Sequence, residues 1–380
     1  MPTEMPNPLL VLHESAGAEF LRHADTPIVS TFGQPELEYA AIRKGCALID
    51  LPQRGIIELT GRDRLAFLNG LLTNKTWDKS AKRGLIAGEG VYAFLLTPKG
   101  RIVADMNVLE LGERTLLEMD GRMVGPVLEA LNRYLFGEQV KVRSLVGEVH
   151  ELVVHGPGAG EVLDLRHEGT EARRHEGREK AEGTKTLRLM GCVSARVLGH
   201  EVVVWRDDPC GVAGYHLIVP AAAVQEVWTS LGFKARPCGW AAFNTARIEA
   251  GRAVFGIDFD GTVLPAETGL LDRAVSFTKG CYVGQEIVAR MQSRGQVARL
   301  IVGIRMAGDA LPIAGAQVED EQGNGVGVVT SSTISPLLSG VAICLAMVKK
   351  ESANVGTQLR IPAEGAVRTG TVAPLPFVGR

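Results

Sequence analysis

A single cysteine stands between glycines in the run Lys279-Gly280-Cys281-Tyr282-Val283-Gly284-Gln285-Glu286, and its setting raises two chemistries. Exposed by tight backbone turns and favoured as a thiolate by the neighbouring Lys279, Cys281 is a reactive group at a ligand site. Held in a core at the mouth of a helix it is inert, which is the common fate of a free cysteine. No histidine and acid can be set beside it from sequence, so a cysteine-protease arrangement finds little support. Glu286 and Arg290 lie four apart and read either as a polar wall beside a ligand or as an ordinary surface pair.

A second group of chemistry-bearing residues is Arg247-Ile248-Glu249-Ala250-Gly251, followed by Leu264-Pro265-Ala266-Glu267. Arg247 has the planar fork that binds a carboxylate, and Glu249 or Glu267 can accept hydrogen bonds from a heterocycle; structural ion pairing is the alternative. Asp105 interrupts an apolar strand, where a carboxylate is costly unless paired, used or turned to water. The glycines from Gly323 to Gly327 lack the Lys and Ser/Thr of a phosphate-binding loop, and Cys192, His200, Cys210 and His216 are too irregular for a metal site. No metal is expected.

The elements that must position these residues are legible from periodicity. Gln34 to Lys44 reads as a short helix with proline near its start and Gly45 after its basic end. Gly55 to Leu59 reads as a strand, and Thr60-Gly61-Arg62-Asp63 as a capping box before a helix carrying Leu65, Leu68, Leu71 and Leu72. Two apolar runs, Gly90 to Leu96 and Ile102 to Leu109, flank the turn Thr97-Pro98-Lys99-Gly100 and predict a hairpin. Strands are expected at Thr115 to Met119, Leu187 to Met190, Glu201 to Trp205 and Tyr215 to Val219, and helices at about Val124 to Tyr134, Ala221 to Leu231 and Gly239 to Ala250. The charge-dense stretch Arg166 to Lys185 reads as a solvated insertion. After Gly295, glycine-punctuated strands suit a small antiparallel barrel.

Composition bounds the rest. The 380 residues are 46% hydrophobic and 22% charged, which fits a globular chain of two or three domains. A formal net charge of -2 supplies no field for a polyanion, and without a basic-aromatic stripe no direct nucleic-acid partner is expected. No apolar run approaches the roughly 20 residues that span a bilayer, and Met1 to Asn7 does not open a signal peptide, so no membrane partner and a cytoplasmic location are expected. The six cysteines form no CxxC pair, which argues against a disulfide scaffold.

Taken with Ala289-Arg290 and Arg294-Gly295, the cysteine run resembles the signature of the folate-binding YgfZ/IBA57 branch, which is related to the glycine-cleavage T protein, an aminomethyltransferase. Gly61-Arg62-Asp63 through Leu71-Leu72-Thr73-Asn74, the hairpin ending at Asp105, Arg247 to Gly251, and Leu264 to Glu267 extend the resemblance over nearly the whole chain. It implies an α+β fold of three parts around a central cleft, closed by the C-terminal antiparallel β-barrel. The first part would comprise residues 1–54 and 142–235, the second, folate-binding part 55–141 and 236–298, and the barrel 299–380.

The same resemblance implies tetrahydrofolate or a related reduced folate as cofactor. It makes Cys281 the functional thiol with Lys279 as a tuning group, and Asp105, Arg247, Glu249, Tyr282 and Gln285 the folate-binding residues. Relatives carry an acidic pair where this chain has Ala104-Asp105; Val212 matches a folate-binding glutamate and His216 replaces a second acid. These departures lead to the expectation that ordinary aminomethyl transfer is disfavoured, and that the chain instead supports assembly or repair of iron-sulfur proteins, including tRNA-modifying enzymes. Its partners would then be iron-sulfur client proteins or assembly factors. A tetrahydrofolate-dependent aminomethyltransferase or demethylase is the alternative.

Overall fold

The computed structural model describes residues 5–163, 187–294 and 297–378. Helices form at Pro35–Lys44, Arg64–Leu71, Val124–Arg133, Val224–Gly232 and Trp240–Glu249, as their spacing predicts. The capping box at Thr60 to Asp63 does not close. Gly61 takes φ +102, and a Cβ there would lie 2.0 Å from the Gln139 carbonyl oxygen, so the chain turns hard against that segment. Asp63 faces the same way, its Oδ2 accepting the Gln139 backbone N–H at 2.8 Å rather than capping its own helix. Leu187 to Met190 is not a strand either. Met190 adopts φ +61, which extended pairing excludes, and the strand starts at Cys192. The charged stretch Arg166 to Lys185 lies outside the described residues.

Two sheets are drawn from interleaved parts of the chain. One has five antiparallel strands in the order Lys141–Ser144, Arg54–Thr60, Arg114–Asp120, Ile102–Glu110, Gly90–Leu96. The other has six, ordered Cys192–Val197, His200–Arg206, Gly214–Pro220, Val149–His155, Ala47–Asp50, Arg236–Pro237, antiparallel except for the last pair. Alternation along each strand divides its residues between two faces. In the five-stranded sheet Ile57, Leu59, Ala104, Met106, Leu117 and Met119 pack with Leu68, Leu71, Val127 and Leu131 of the helices. In the six-stranded sheet Leu152, Val154, Leu217 and Val219 pack with Val224, Val227, Trp228 and Leu231.

The opposite faces meet each other. Ile56, Leu109, Leu116, Val203, Trp205 and Ile218 fill part of the gap with apolar contacts. Asp105, Asn107, Glu118 and Asp120 take the alternate positions of the same five-stranded sheet, so the rest of the gap is polar.

The chain ends in a closed barrel, ordered Arg299–Met306, Val341–Lys349, Gly325–Ser335, Gln317–Glu319, Gln358–Ala363, Ala366–Ala373. Its own core is formed by residues such as Ile304, Cys344, Val348, Leu359 and Ile361. The whole is the α+β architecture with a C-terminal antiparallel barrel that the sequence predicts. No helix among the described residues is long and apolar enough to cross a membrane.

Candidate functional site

Between the sheets lies a cavity of about 120 Å³, whereas one water needs roughly 10–15 Å³. Its polar wall is built by register. Asn107 sits opposite both Tyr92 and Glu118, and Arg54 sits opposite Asp120, so the side chains form rows across three strands. Trp205 and His216, a direct cross-strand pair, face them from the six-stranded sheet. Trp240 and Phe243 of the helix Trp240–Glu249, with Arg252 and Phe255, complete the lining.

The charges inside are unequally paired. Arg54 Nε donates to Glu118, whose other oxygen accepts from Asn107 Nδ2 at 2.7 Å. Asp120 accepts from Arg122 at 2.9 and 2.6 Å and from His23 Nε2 at 2.8 Å, and these donors hold it well below the usual carboxylate range against the cost of burial. Asp207 takes Arg273 at 3.0 and 2.9 Å and Arg252 at 3.3 Å. Asp105 has no cation of its own. It accepts the Tyr92 hydroxyl at 2.8 Å, and burial raises its pKa despite the pull of Arg54. Glu118 is raised for the same reason, and Glu151, behind His216, is pushed up to about 7.

Several polar atoms of the wall are buried without a partner among the described residues. Asp105 Oδ1, Asn107 Oδ1 and Gln53 Oε1 are acceptors by type, Trp205 Nε1 and Arg273 Nε are donors, and the role of His216 Nε2 is set by its tautomer. Such groups cost free energy until a ligand or solvent meets them. The arrangement is therefore a pocket that offers a ligand both hydrogen-bond acceptors and donors.

Of the residues assigned from the sequence as catalytic or folate-binding, only Asp105 belongs to this cavity; His216, read there as replacing an acid of the family, lines it too. Arg247 is fully buried in an ion pair with Asp258 and donates from Nε to Asn244 Oδ1 at 2.9 Å, while its Nη2 has no partner among the described residues. Glu249 is a junction: it accepts from Tyr39 at 2.6 Å, from Arg43 and from Ser335. Neither lines the cavity.

The cysteine run is a staple in this chain. Lys279 Nζ donates to the backbone carbonyls of Asn69 at 2.6 Å, Leu72, and Asn74 at 3.1 Å, closing the C-terminal end of the helix Arg64–Leu71. Burial pulls its ammonium down to about 7, and its charge is directed at backbone oxygens rather than tuning the thiol. Tyr282 is buried in the core with its ring 4.8 Å from Lys279 Nζ, and Gln285 opens the helix Gln285–Arg294. Cys281 is exposed, while the other five cysteines are buried or half-buried. None of these four residues lines the central cavity.

Asn107, Glu118, Asp120, Trp205, Asp207 and His216 went unselected as site residues. A signal for three of them exists: Asn107 with the selected Asp105, and Glu118 with Asp120, are pairs of polar residues two apart in apolar strands. Alternation puts each pair on one face.

Fold and site together define an α+β protein with a closed barrel and an acceptor-rich ligand cavity between two sheets. Residues 9–279 match the GCVT N-terminal domain and residues 299–379 the glycine cleavage T-protein C-terminal barrel domain; the chain belongs to the glycine-cleavage T-protein family. It is 29% identical to an aminomethyltransferase of Cutibacterium acnes, with 100% of both chains covered, and 27% identical to one of Corynebacterium jeikeium, covering 98% and 97%. The crystal structure of glycine cleavage system aminomethyltransferase T from Bartonella henselae superposes with a TM-score of 0.84 at 24% identity, over 100% of this chain and 98% of that one; this is a likeness of fold.

These full-length similarities overturn the expectation that ordinary aminomethyltransferase activity is disfavoured. The expectation leaned on the single acid at Ala104-Asp105, on Val212 and on His216; Val212 lines a neighbouring opening with Lys44, Asp208 and Leu337 that shares Pro209 and Arg252 with the central cavity, whereas Asp105 and His216 line the cavity itself. That wall has acceptors the sequence reading did not count.

Proposed function

We propose that the chain is a folate-dependent aminomethyltransferase with its reduced folate held between the two sheets. The observation that supports this is the set of unpartnered acceptors in the cavity wall, Asp105 Oδ1, Asn107 Oδ1 and Gln53 Oε1. A reduced pterin is a flat heterocycle carrying several N–H donors, and Tyr92, Trp205, Trp240 and Phe243 offer it aromatic walls. Reduced folate, when bound, supplies the nitrogens that receive the one-carbon unit. The chain's own residues orient the ring through Asp105, keep it from bulk water, and leave Arg54 to balance the carboxylates beneath. The relatives named aminomethyltransferase favour this reaction class.

Calorimetric titration with tetrahydrofolate tests the reading. Asp105→Asn keeps the shape and the Tyr92 contact but weakens the acceptor, and an affinity loss of about 10- to 100-fold is expected, as for a hydrogen bond to a charged group. Release of ammonia from an aminomethyl-loaded lipoyl carrier should require tetrahydrofolate. Wild-type protein that binds no tetrahydrofolate would falsify the proposal.

A second reading, the YgfZ-like support of iron-sulfur proteins, draws on the exposure of Cys281. On that reading Cys281→Ser lowers the activity of cluster-dependent enzymes in cells at unchanged protein abundance. Unchanged activity removes it.

A further inference from the structure

Arg273 is held against Tyr92 through both its backbone and its side chain. The helix Leu271–Ala274 that carries it is strapped to the strand Gly90–Leu96 by two neighbouring residues, Thr73 and Asn74. Thr73 Oγ1 donates to the Ala274 carbonyl at 2.7 Å and accepts the Phe94 N–H at 2.8 Å. Asn74 Nδ2 donates at 2.9 Å to the carbonyls of both Tyr92 and Arg273. At the side-chain end, the two terminal nitrogens of Arg273 grip the two oxygens of Asp207 at 3.0 and 2.9 Å, and Arg252 reaches the same carboxylate at 3.3 Å. One carboxylate thus serves two guanidiniums, and the cluster carries a surplus of positive charge.

That charge lies over an aromatic face. The guanidinium carbon of Arg273 is 4.7 Å from the centre of the Tyr92 ring, within the reach of a cation–π contact, which is strongest where water is excluded. Tyr92 is buried, and its hydroxyl donates to Asp105 Oδ2 at 2.8 Å, so cation, ring and carboxylate form one chain of contacts. A cation on its face draws electron density from the ring and makes the phenol a better hydrogen-bond donor, and a better donor favours the charged form of Asp105. Arg54, Glu118 and Asp120 also act on that carboxyl, the first in favour of its charge and the two acids against it, while Asp207 opposes Arg273 at the ring. Asp105 Oδ1 is left for a ligand.

The structure assigns Arg273 as a positioning residue of the cavity: gripped by Asp207, its guanidinium fixes and polarises the Tyr92 ring, and through the Tyr92 hydroxyl it holds the Asp105 carboxylate in place for the bound heterocycle. The identity of that heterocycle as a reduced folate rests on the functional reading above. Arg273 acts through Tyr92 and not by touching the ligand, although its Nε is buried without a partner among the described residues.

Carbon-13 spectra of the full chain with labelled aspartate follow the titration of Asp105 without ligand, and Asp105→Asn identifies its signal. Arg273→Met keeps a side chain on the ring but no charge; Arg273→Gln serves if the first variant does not fold. Either should raise the Asp105 midpoint by about half a unit or more, because the charged form loses support. In a Tyr92→Phe background the same change should leave the midpoint nearly where it was, since the relay is already cut. Calorimetry near neutral pH should show Arg273→Met binding tetrahydrofolate roughly three- to tenfold more weakly, with no further loss when the change is added to Tyr92→Phe. An Asp105 midpoint that Arg273→Met does not move overturns the proposal. So does a midpoint shift or an affinity loss of equal size with and without the Tyr92 hydroxyl, since Arg273 then acts directly on the carboxylate or the ligand. If the ligand-free shifts follow the expectation and the wild-type protein does not bind tetrahydrofolate, the positioning role stands and the folate reading falls.

Discussion

Glu151 couples the site to pH. Its carboxyl is fully buried, and burial pushes its pKa from 4.5 up to about 7. The folded chain therefore keeps a proton that the unfolded chain gives up near its ordinary value, and stability from this group is fully present below about 4.5 and lost as pH rises to about 7. Glu151→Gln removes the titration while the amide still offers an oxygen toward His216. The stability of Glu151→Gln relative to wild type should grow by roughly 3 kcal/mol between these limits and then level off. Urea unfolding at a series of pH values measures it, and a difference that does not change with pH shows that Glu151 is not held protonated. His216 and His155 act in the opposite sense: burial lowers both, and their contribution is lost as pH falls toward about 4 and about 3.

At the scale of elements, the cysteine run ties three pieces of chain together. Lys279 closes the helix Arg64–Leu71, Tyr282 enters the core, and Gly284 seats the run on the hairpin turn. Gly284 takes φ +81, and a Cβ there would meet the Thr97 carbonyl oxygen at 2.7 Å and Gly100 Cα at 3.2 Å. The turn is equally tight from its own side, where a Cβ on Gly100 would lie 2.8 Å from Ile287 Cβ. Gly284→Ala is thus expected to cost about 1–3 kcal/mol from the left-handed backbone alone, with the clash added. A lowered urea midpoint checks this; an unchanged one means that the turn and the run are not pressed together. The glycines were conspicuous in the sequence, but spacing alone left open whether they expose a reactive thiol or bury an inert one. What they do is allow close approach to a turn some 180 residues away in the chain, and no local pattern contains that partner.

For the whole molecule, the strands, the helices and the barrel were legible because each is a local period, whereas the cavity is assembled from both sheets and a helix. Asp105 was noticed because it breaks an apolar run; Glu118 and Asp120 passed unremarked in their strand, and only the second sheet opposite shows what they line. Arg247 shows the reverse case: a binding fork in sequence, it lies buried against Asp258 and Asn244 and outside the cavity wall. Asp258 also joins the barrel to the body: it accepts from Thr330 Oγ1 at 2.7 Å and Ser331 Oγ at 2.6 Å of the strand Gly325–Ser335, and from the Val254 N–H at 2.9 Å. Removing its charge strands a guanidinium that is wholly buried, so Asp258→Asn should lose about 3–5 kcal/mol. The paired change Arg247→Met with Asp258→Leu deletes both charges and should recover a large part of that loss, although Thr330 and Ser331 remain without their acceptor. Urea denaturation of the two single variants and the double variant gives the coupling, and hydrogen exchange at Thr330 and Ser331 reports the barrel. Additive losses with unchanged exchange in that strand would mean that the barrel is held by its apolar contacts and not by this carboxylate.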